Sequence, residues 1–373
     1  MPPITHGNDA FTAFQMSDES AWGTPTGSYV DVPIIRETLH TVRDRLPSSP
    51  EFGDLGGETG VDTINPRVEG EITFTPRLDA PWFHWFLGHI FGTEQLDLNT
   101  DLDGNTGIPQ TGGNGHWYTP SQQYRSLAFR VWKGGASAGG NWSQFVGCIV
   151  TSARIELSPD GLLQMTVAVV GKVETGAAII GSPGVPAGVV GAEALWLTQN
   201  GATFKTGSTL AAINVRGFTI EFDRQVAADP SFMNTLSTAN EPGPQGNRIS
   251  RCTIQGLLET TYINAGQPYL EFLNDTASKC RIQIRDSAAA SDDLSEKYAM
   301  DIDFPSVKWL EGDYSVKEAG SNPTTAVLQG IEAVTTAPAT GSADMRVGVY
   351  VNDADDIDTY FTVVAGGVTQ VTI

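Results

Sequence analysis

Apolar and polar residues alternate along five segments of the chain: Ile34 to Val42 (IIRETLHTV), Val68 to Thr75, Tyr124 to Trp132 (YRSLAFRVW), Val146 to Leu157 and Leu162 to Val173. A period of two puts one set of side chains on a core face and the other on a polar face, the pattern of half-buried strands. Clusters of Pro, Gly, Asn and Asp stand between the segments, as turns between antiparallel strands do. The long helical periodicity that alternates with strands in a parallel sheet is missing. The chain is predicted to be mainly β.

One short helix interrupts this pattern. In PWFHWFLGHIFG, Pro81 suits a first turn, Asp79 is placed to cap it, and Trp82, Trp85, Phe86 and Ile90 recur at helical spacing. Phe and Trp dominate the burial energy of such a segment, so it is predicted to plug the sheet formed by the preceding strand EITFTP, with Trp85 and Phe86 in the core.

The pattern then recurs. VPIIRETLHTVRDRLPS aligns with AINVRGFTIEFDRQVAA, setting Arg36 against Arg216. RVEGEITFTPRLDAPWFHWFLG aligns with RCTIQGLLETTYINAGQPYLEFLN, setting Arg67 against Arg251 and Pro81 against Pro268, so the offset drifts by only a few residues. Ordered agreement of strand, long loop, strand and Pro-led aromatic segment predicts an internal duplication. The expected units are residues 1–175, with an N-terminal arm, and residues 195–373, with a C-terminal extension. The Gly/Ala/Pro-rich residues 176–194 read as the linker between them. The first unit also carries an insertion near residues 93–116. Asp344 to Ile373 is expected either to complete the second barrel or to decorate it.

Composition narrows the function. The chain has 373 residues, enough for two cores, and 22 Lys and Arg against 43 Asp and Glu, a net charge of -21. Gripping phosphates needs clustered basic residues, so nucleic-acid binding is not expected. Cys148, Cys252 and Cys280 form no close pair and have no histidines at zinc-finger spacing, which predicts reduced thiols rather than disulfides or structural zinc. The N-terminus lacks a basic and apolar leader, and no apolar run approaches the roughly 20 residues of a membrane span, so neither export nor a membrane is expected.

No motif carries a reaction through. Gly135 to Gly139 (GASAG) matches a nucleophile elbow, but another strand follows it, and all five histidines precede Ser137. Asn99 to Gly104 resembles half of a calcium loop, but Gln110 stands where a bidentate glutamate belongs, so turn formation is the simpler reading. Asp353 to Asp358 likewise reads as a solvated turn. His84 and His89, five apart, diverge around a helix and are not expected to share a metal. No P-loop, GxGxxG or CxxC occurs, so no cofactor and no enzymatic activity are expected.

The combination of EITFTP, a turn, LDAPWFHWFLGHIFG, and then the strand pair FVGCIVTSARIEL and GLLQMTVAVVGK resembles the tail tube (major tail) proteins of long-tailed bacteriophages, in the form in which the tube fold is duplicated. The resemblance covers roughly residues 20–175 and, more loosely, 195–335. It implies two tandem β-sandwich or barrel units, each with a short flanking helix. It further implies rings, trimeric with pseudo-sixfold symmetry or else hexameric, stacked into a hollow tube in the virion tail and assembled in the host bacterial cytoplasm. Tape measure and tail terminator proteins would be partners, and DNA would pass through the lumen unbound. The long loops Leu46 to Pro66 and Val226 to Asn247 would reach the neighbouring ring through Glu51, Phe52, Asp54 and Leu55, and through Phe232, Met233, Asn234 and Leu236. A capsid-decorating or receptor- or glycan-binding β-sandwich is the alternative reading.

Overall fold

The computed structural model describes residues 11–27, 29–48, 60–78, 80–98, 114–121, 125–134, 141–158, 161–177, 202–207, 210–227, 243–244, 248–258, 268–285, 298–312, 323–335 and 341–351. The first strands are β1 (Phe11–Ala21), β2 (Thr24–Pro25), β3 (Val30–Asp31), β4 (Arg36–Glu37), β5 (His40–Ser48) and β6 (Gly60–Phe74). Helix α1 (Pro81–Phe91) follows, then β7 (Gly92–Leu98), β8 (Asn114–Pro120), β9 (Leu127–Gly134), β10 (Asn141–Leu157), β11 (Gln164–Gly171) and β12 (Val173–Ala177). Next come β13 (Ala202–Thr206), β14 (Ala211–Ile213), β15 (Gly217–Asp223), β16 (Val226–Ala227), β17 (Gly243–Pro244) and β18 (Ile249–Leu258). Helix α2 (Pro268–Leu273) precedes β19 (Ser278–Arg285), β20 (Tyr298–Gly312), β21 (Pro323–Gly330), β22 (Ala333–Thr335), β23 (Gly341–Ala343) and β24 (Arg346–Val351).

The protein is mainly β, as the alternation predicts. Among the described residues, twenty strands join into one connected antiparallel sheet system, which wraps a common apolar core. The strand order runs β1, β9, β10, β11, β6, β5 in the first part of the chain, and β13, β19, β20, β21, β18, β15 in the second. The two orders meet where the second half of β10 pairs with β15.

The long strands β10 and β20 each change partners along their length. β10 lies between β9 and β12 in its first half and between β11 and β15 in its second. The switch falls at Gly147, whose φ of 69° belongs to the left-handed region that glycine adopts without strain. A Cβ there would lie 2.8 Å from the Trp22 indole nitrogen, which donates to the Gly147 carbonyl at 3.0 Å. β20 bends where its pairing jumps between Phe304 and Val307. Pro305 sits inside this irregularity, where a missing N–H costs no ladder hydrogen bond.

Helix α1 begins at Pro81 with Ala80 as its N-cap, while Asp79, expected to cap it, lies outside the described residues. Proline pre-sets the helical φ and has no N–H to satisfy. Trp85 and Phe86 are core, as expected, but burial extends around the whole helix from Trp82 to Phe91. Phe74 of β6 stacks on Phe86 at 4.9 Å and meets Trp82 edge-on at 5.3 Å, so strand and helix form one aromatic unit.

The expected loop from Leu46 to Pro66 is shortened at both ends. Leu46 to Ser48 and Gly60 to Pro66 belong to the β5–β6 ladder, since Leu46 pairs with Asp62 and Ser48 with Gly60. The second loop also starts on a stem, with Val226 paired to Pro244 and Ala227 to Gly243. Residues 11–21 of the N-terminal arm form β1, which lies along β9. The insertion supplies β7 and β8, and β8 pairs with β24, which in turn pairs with β20. Residues 346–351 of the C-terminal extension therefore complete the sheet.

Candidate functional site

Two surfaces stand out: the polar face of the sheet and its unpaired edges. Alternation along β6, β11, β10, β15 and β18 sends Ile72, Val167, Ala153, Phe222 and Cys252 into the core. The intervening residues form a row across eight strands. Arg36 lies opposite Thr73, then Thr166, Arg154, Glu221, Arg251, Gln329 and Lys308 in successive partners. The face is concave enough to enclose an open cleft of about 630 Å³, floored by residues such as Thr73, Thr166, Arg154 and Glu221. Both signs of charge occur on it: Arg36, Arg154, Arg251 and Lys308 share the row with Glu221; Glu71 and Asp223 also line the cleft; and Arg154 pairs with Glu156 at 3.0 Å. The -21 balance of the chain is thus not concentrated on this face.

Edges matter because an unpaired strand presents a row of open N–H and C=O groups. Among the described residues, β4 and β5 pair only with β6, leaving their other edge open. Among the described residues, the last residues of β20, Leu310 to Gly312, have β21 on one side and no strand on the other. Exposed apolar side chains mark both places: Ile35 is 56% exposed and Leu310 is 42% exposed.

The corresponding edges inside the chain are closed by the β10–β15 ladder, from Ser152 opposite Asp223 to Leu157 opposite Phe218. Just beyond it the Arg224 N–H donates to the Thr151 carbonyl at 2.9 Å. The buried Arg224 guanidinium then donates to the carbonyls of His89, at 2.5 Å, and Val150, at 3.3 Å. It thereby holds the end of α1 against β10, with positive charge at a helix C-terminus where the dipole favours it. Burial, followed by the nearby charges of Arg125 and Arg224, lowers the pKa of His89 from 6.5 to about 3.

The residues weighed for chemistry have structural partners instead. His84 bridges the Tyr118 hydroxyl at 2.7 Å and the Leu78 carbonyl at 2.8 Å. His89 lies 3.7 Å from Asp18, whose carboxyl is raised by burial. All three cysteines are buried free thiols, and burial pushes each thiol up. The segments around Ser137, Asn99 to Gln110 and Asp353 to Asp358 lie outside the described residues. So do Glu51, Phe52, Asp54, Leu55, Phe232, Met233, Asn234 and Leu236, although the stems that lead into both loops are described.

Burial on β20 does not follow the alternation: Asp301 and Asp303 lie between the core residues Met300, Ile302 and Phe304, yet both are buried. Arg285 donates to Asp301, while Arg281 and Arg346 bond Asp303 at 3.3 and 2.7 Å. Those arginines come from β19 and β24, and only the register brings them together.

The structure is thus a mainly β protein with one polar concave face and, among the described residues, two open sheet edges. The model of the phage tail tube protein family matches residues 11–344, and the chain belongs to that family. No curated protein matches the chain. It is a structural protein of the virion tail.

Proposed function

We propose that copies of this chain join through their sheet edges into hollow rings, that the rings stack into the tail tube, and that DNA passes through the bore during ejection. The observation that carries this reading is the twofold strand order with an open edge at each end. One junction of the two orders is made within the chain, and a second would be made with a neighbouring copy. Two duplicated units per chain then give a trimeric ring with pseudo-sixfold symmetry. The concave polar face lines the bore, where Glu71, Glu156, Glu221 and Asp223 stand among the basic residues and leave DNA no continuous basic track to bind.

The hairpin stems support a role for the two long loops between rings. Each stem extends past the same strand of its unit, so Glu51, Phe52, Asp54 and Leu55, and Phe232, Met233, Asn234 and Leu236, would be carried toward the next ring. Tape measure and tail terminator proteins would meet the inside and end of the tube, and assembly would take place in the host bacterial cytoplasm. Negative-stain electron microscopy across a concentration series tests the reading. Rings or tubes with a central hole and threefold or pseudo-sixfold averages are expected; compact single particles at every concentration would overturn it.

A further inference from the structure

The strand irregularities align the two open edges with the closed junction residue by residue. The β10–β11 ladder breaks between Val150 and Ser152, and the β20–β21 ladder between Trp309 and Glu311. The β9–β10 ladder breaks between Phe145 and Cys148, and the β19–β20 ladder between Phe304 and Val307. Both breaks coincide under a single alignment, which sets Val150 on Trp309, Thr151 on Leu310 and Ser152 on Glu311. At the other edge, the Ile35 N–H donates to the Thr73 carbonyl at 2.7 Å as the Arg216 N–H donates to Gln255 at 2.9 Å. Arg36 then faces Thr73 as Gly217 faces Gln255. Counting on from there sets Val42 on Asp223 and Arg43 on Arg224.

This correspondence places an arginine at the same point of both edges. Arg224 is 2% exposed and fastens the closed junction. Arg43 is exposed and has no side-chain bond among the described residues. We propose that Arg43 is the fastener between copies: its N–H donates to the Leu310 carbonyl of a second copy, and its guanidinium caps that copy's Trp309 carbonyl and the last turn of α2. In the same register Val42 lies opposite Glu311, and Thr41 opposite Gly312, of the neighbour. The inference rests on the ring reading and specifies its interface.

The receiving surface has the right chemistry. Helix α2 packs on β20, as α1 packs on β10. Glu271 accepts from the Trp309 indole N–H at 2.9 Å, and Asp275 pairs with Lys308 at 2.9 Å, so two carboxylates stand beside the carbonyls that Arg43 would meet. The 42% exposure of Leu310 in the unassembled chain is what an edge awaiting a strand presents.

Cysteine pairs test the register. In the variant S152C/D223C the thiols face one another within a chain and calibrate oxidation at this geometry. In V42C/E311C, mild oxidation of assembled protein is expected to link separate chains into covalent multimers on a denaturing gel. Arg43→Glu is expected to raise the concentration needed for assembly by tenfold or more, a loss of about 1.4 kcal/mol per tenfold step, while leaving the thermal midpoint of unassembled protein unchanged; Arg43→Lys should recover part of the assembly. If rings form but V42C/E311C gives no linkage while S152C/D223C oxidises, or if Arg43→Glu assembles like the parent, this interface is wrong and the ring reading stands. If the parent protein never assembles, both fall.

Discussion

Helices α1 and α2 leave matching strands of the two halves and meet different surroundings. α1 is buried along its whole length, enclosed by β7, β8 and β10. α2 packs on β20 but leaves Leu270 36% and Leu273 57% exposed. Aromatic content alone does not explain the contrast, because PYLEFL also carries Tyr and Phe. What differs is cover: the β7–β8 hairpin folds over α1. A helix at the same topological place is thus a core element in one half and a partly open surface in the other.

The largest effect should separate the two helices. Trp85→Ala is expected to cost about 3–5 kcal/mol of unfolding free energy by removing an indole from a filled core, whereas Leu273→Ala should cost under about 0.5 kcal/mol in unassembled protein. Denaturant titration of both variants checks this, and equal costs would remove the distinction.

The two arginines carry the comparison to the strand edges. Arg224→Ala strips hydrogen bonds from buried carbonyls and is expected to destabilise the unassembled chain by about 2–4 kcal/mol. Arg43→Ala should change the same measurement by under about 0.5 kcal/mol. A large loss at Arg43 would mean that its edge is already closed within the chain.

His89 makes the first half sensitive to acid. Folded His89 stays neutral down to about pH 3, while the unfolded chain takes up a proton below about 6.5. Its contribution is therefore complete above pH 6.5 and is lost as pH falls toward 3. The loss should reach about 2–3 kcal/mol by pH 4.5. Asp18 acts in the opposite sense, because its raised pKa lets the folded carboxyl take up a proton before the unfolded one does, and so offsets part of the loss. Denaturant midpoints from pH 7 to 4.5 should show the decline, and His89→Gln should flatten it; an unaltered slope would clear His89.

The smallest effect concerns thiol access. Cys148, Cys252 and Cys280 should resist a water-soluble thiol reagent in the native protein and react once it is unfolded, since buried thiols do not ionise.

Local chemistry was the legible part of the sequence. Alternation located β6, β10 and β11, and the Pro-led aromatic run located α1 with Trp85 and Phe86 inside. Both signals live within a dozen residues. Long-range register was not legible: aligning Arg36 with Arg216 missed by one residue, because only the ladder to Gln255 fixes Gly217 as its counterpart. The same limit hid Arg224 and the buried Asp301 and Asp303, whose partners come from strands remote in sequence. The open edges left no local mark either, since an edge strand and a paired strand alternate alike.

The central claim is that the face carrying the row from Arg36 to Lys308 lines the bore and that the sheet, through Val42 and Arg43, continues from one copy to the next. Averaged cryo-electron microscopy of assembled tubes tests it most directly, at a resolution that traces strands. The account predicts Arg154 and Glu221 on the inner wall, with β4–β5 of one copy beside the end of β20 of another; the same face on the outside of the tube would contradict it.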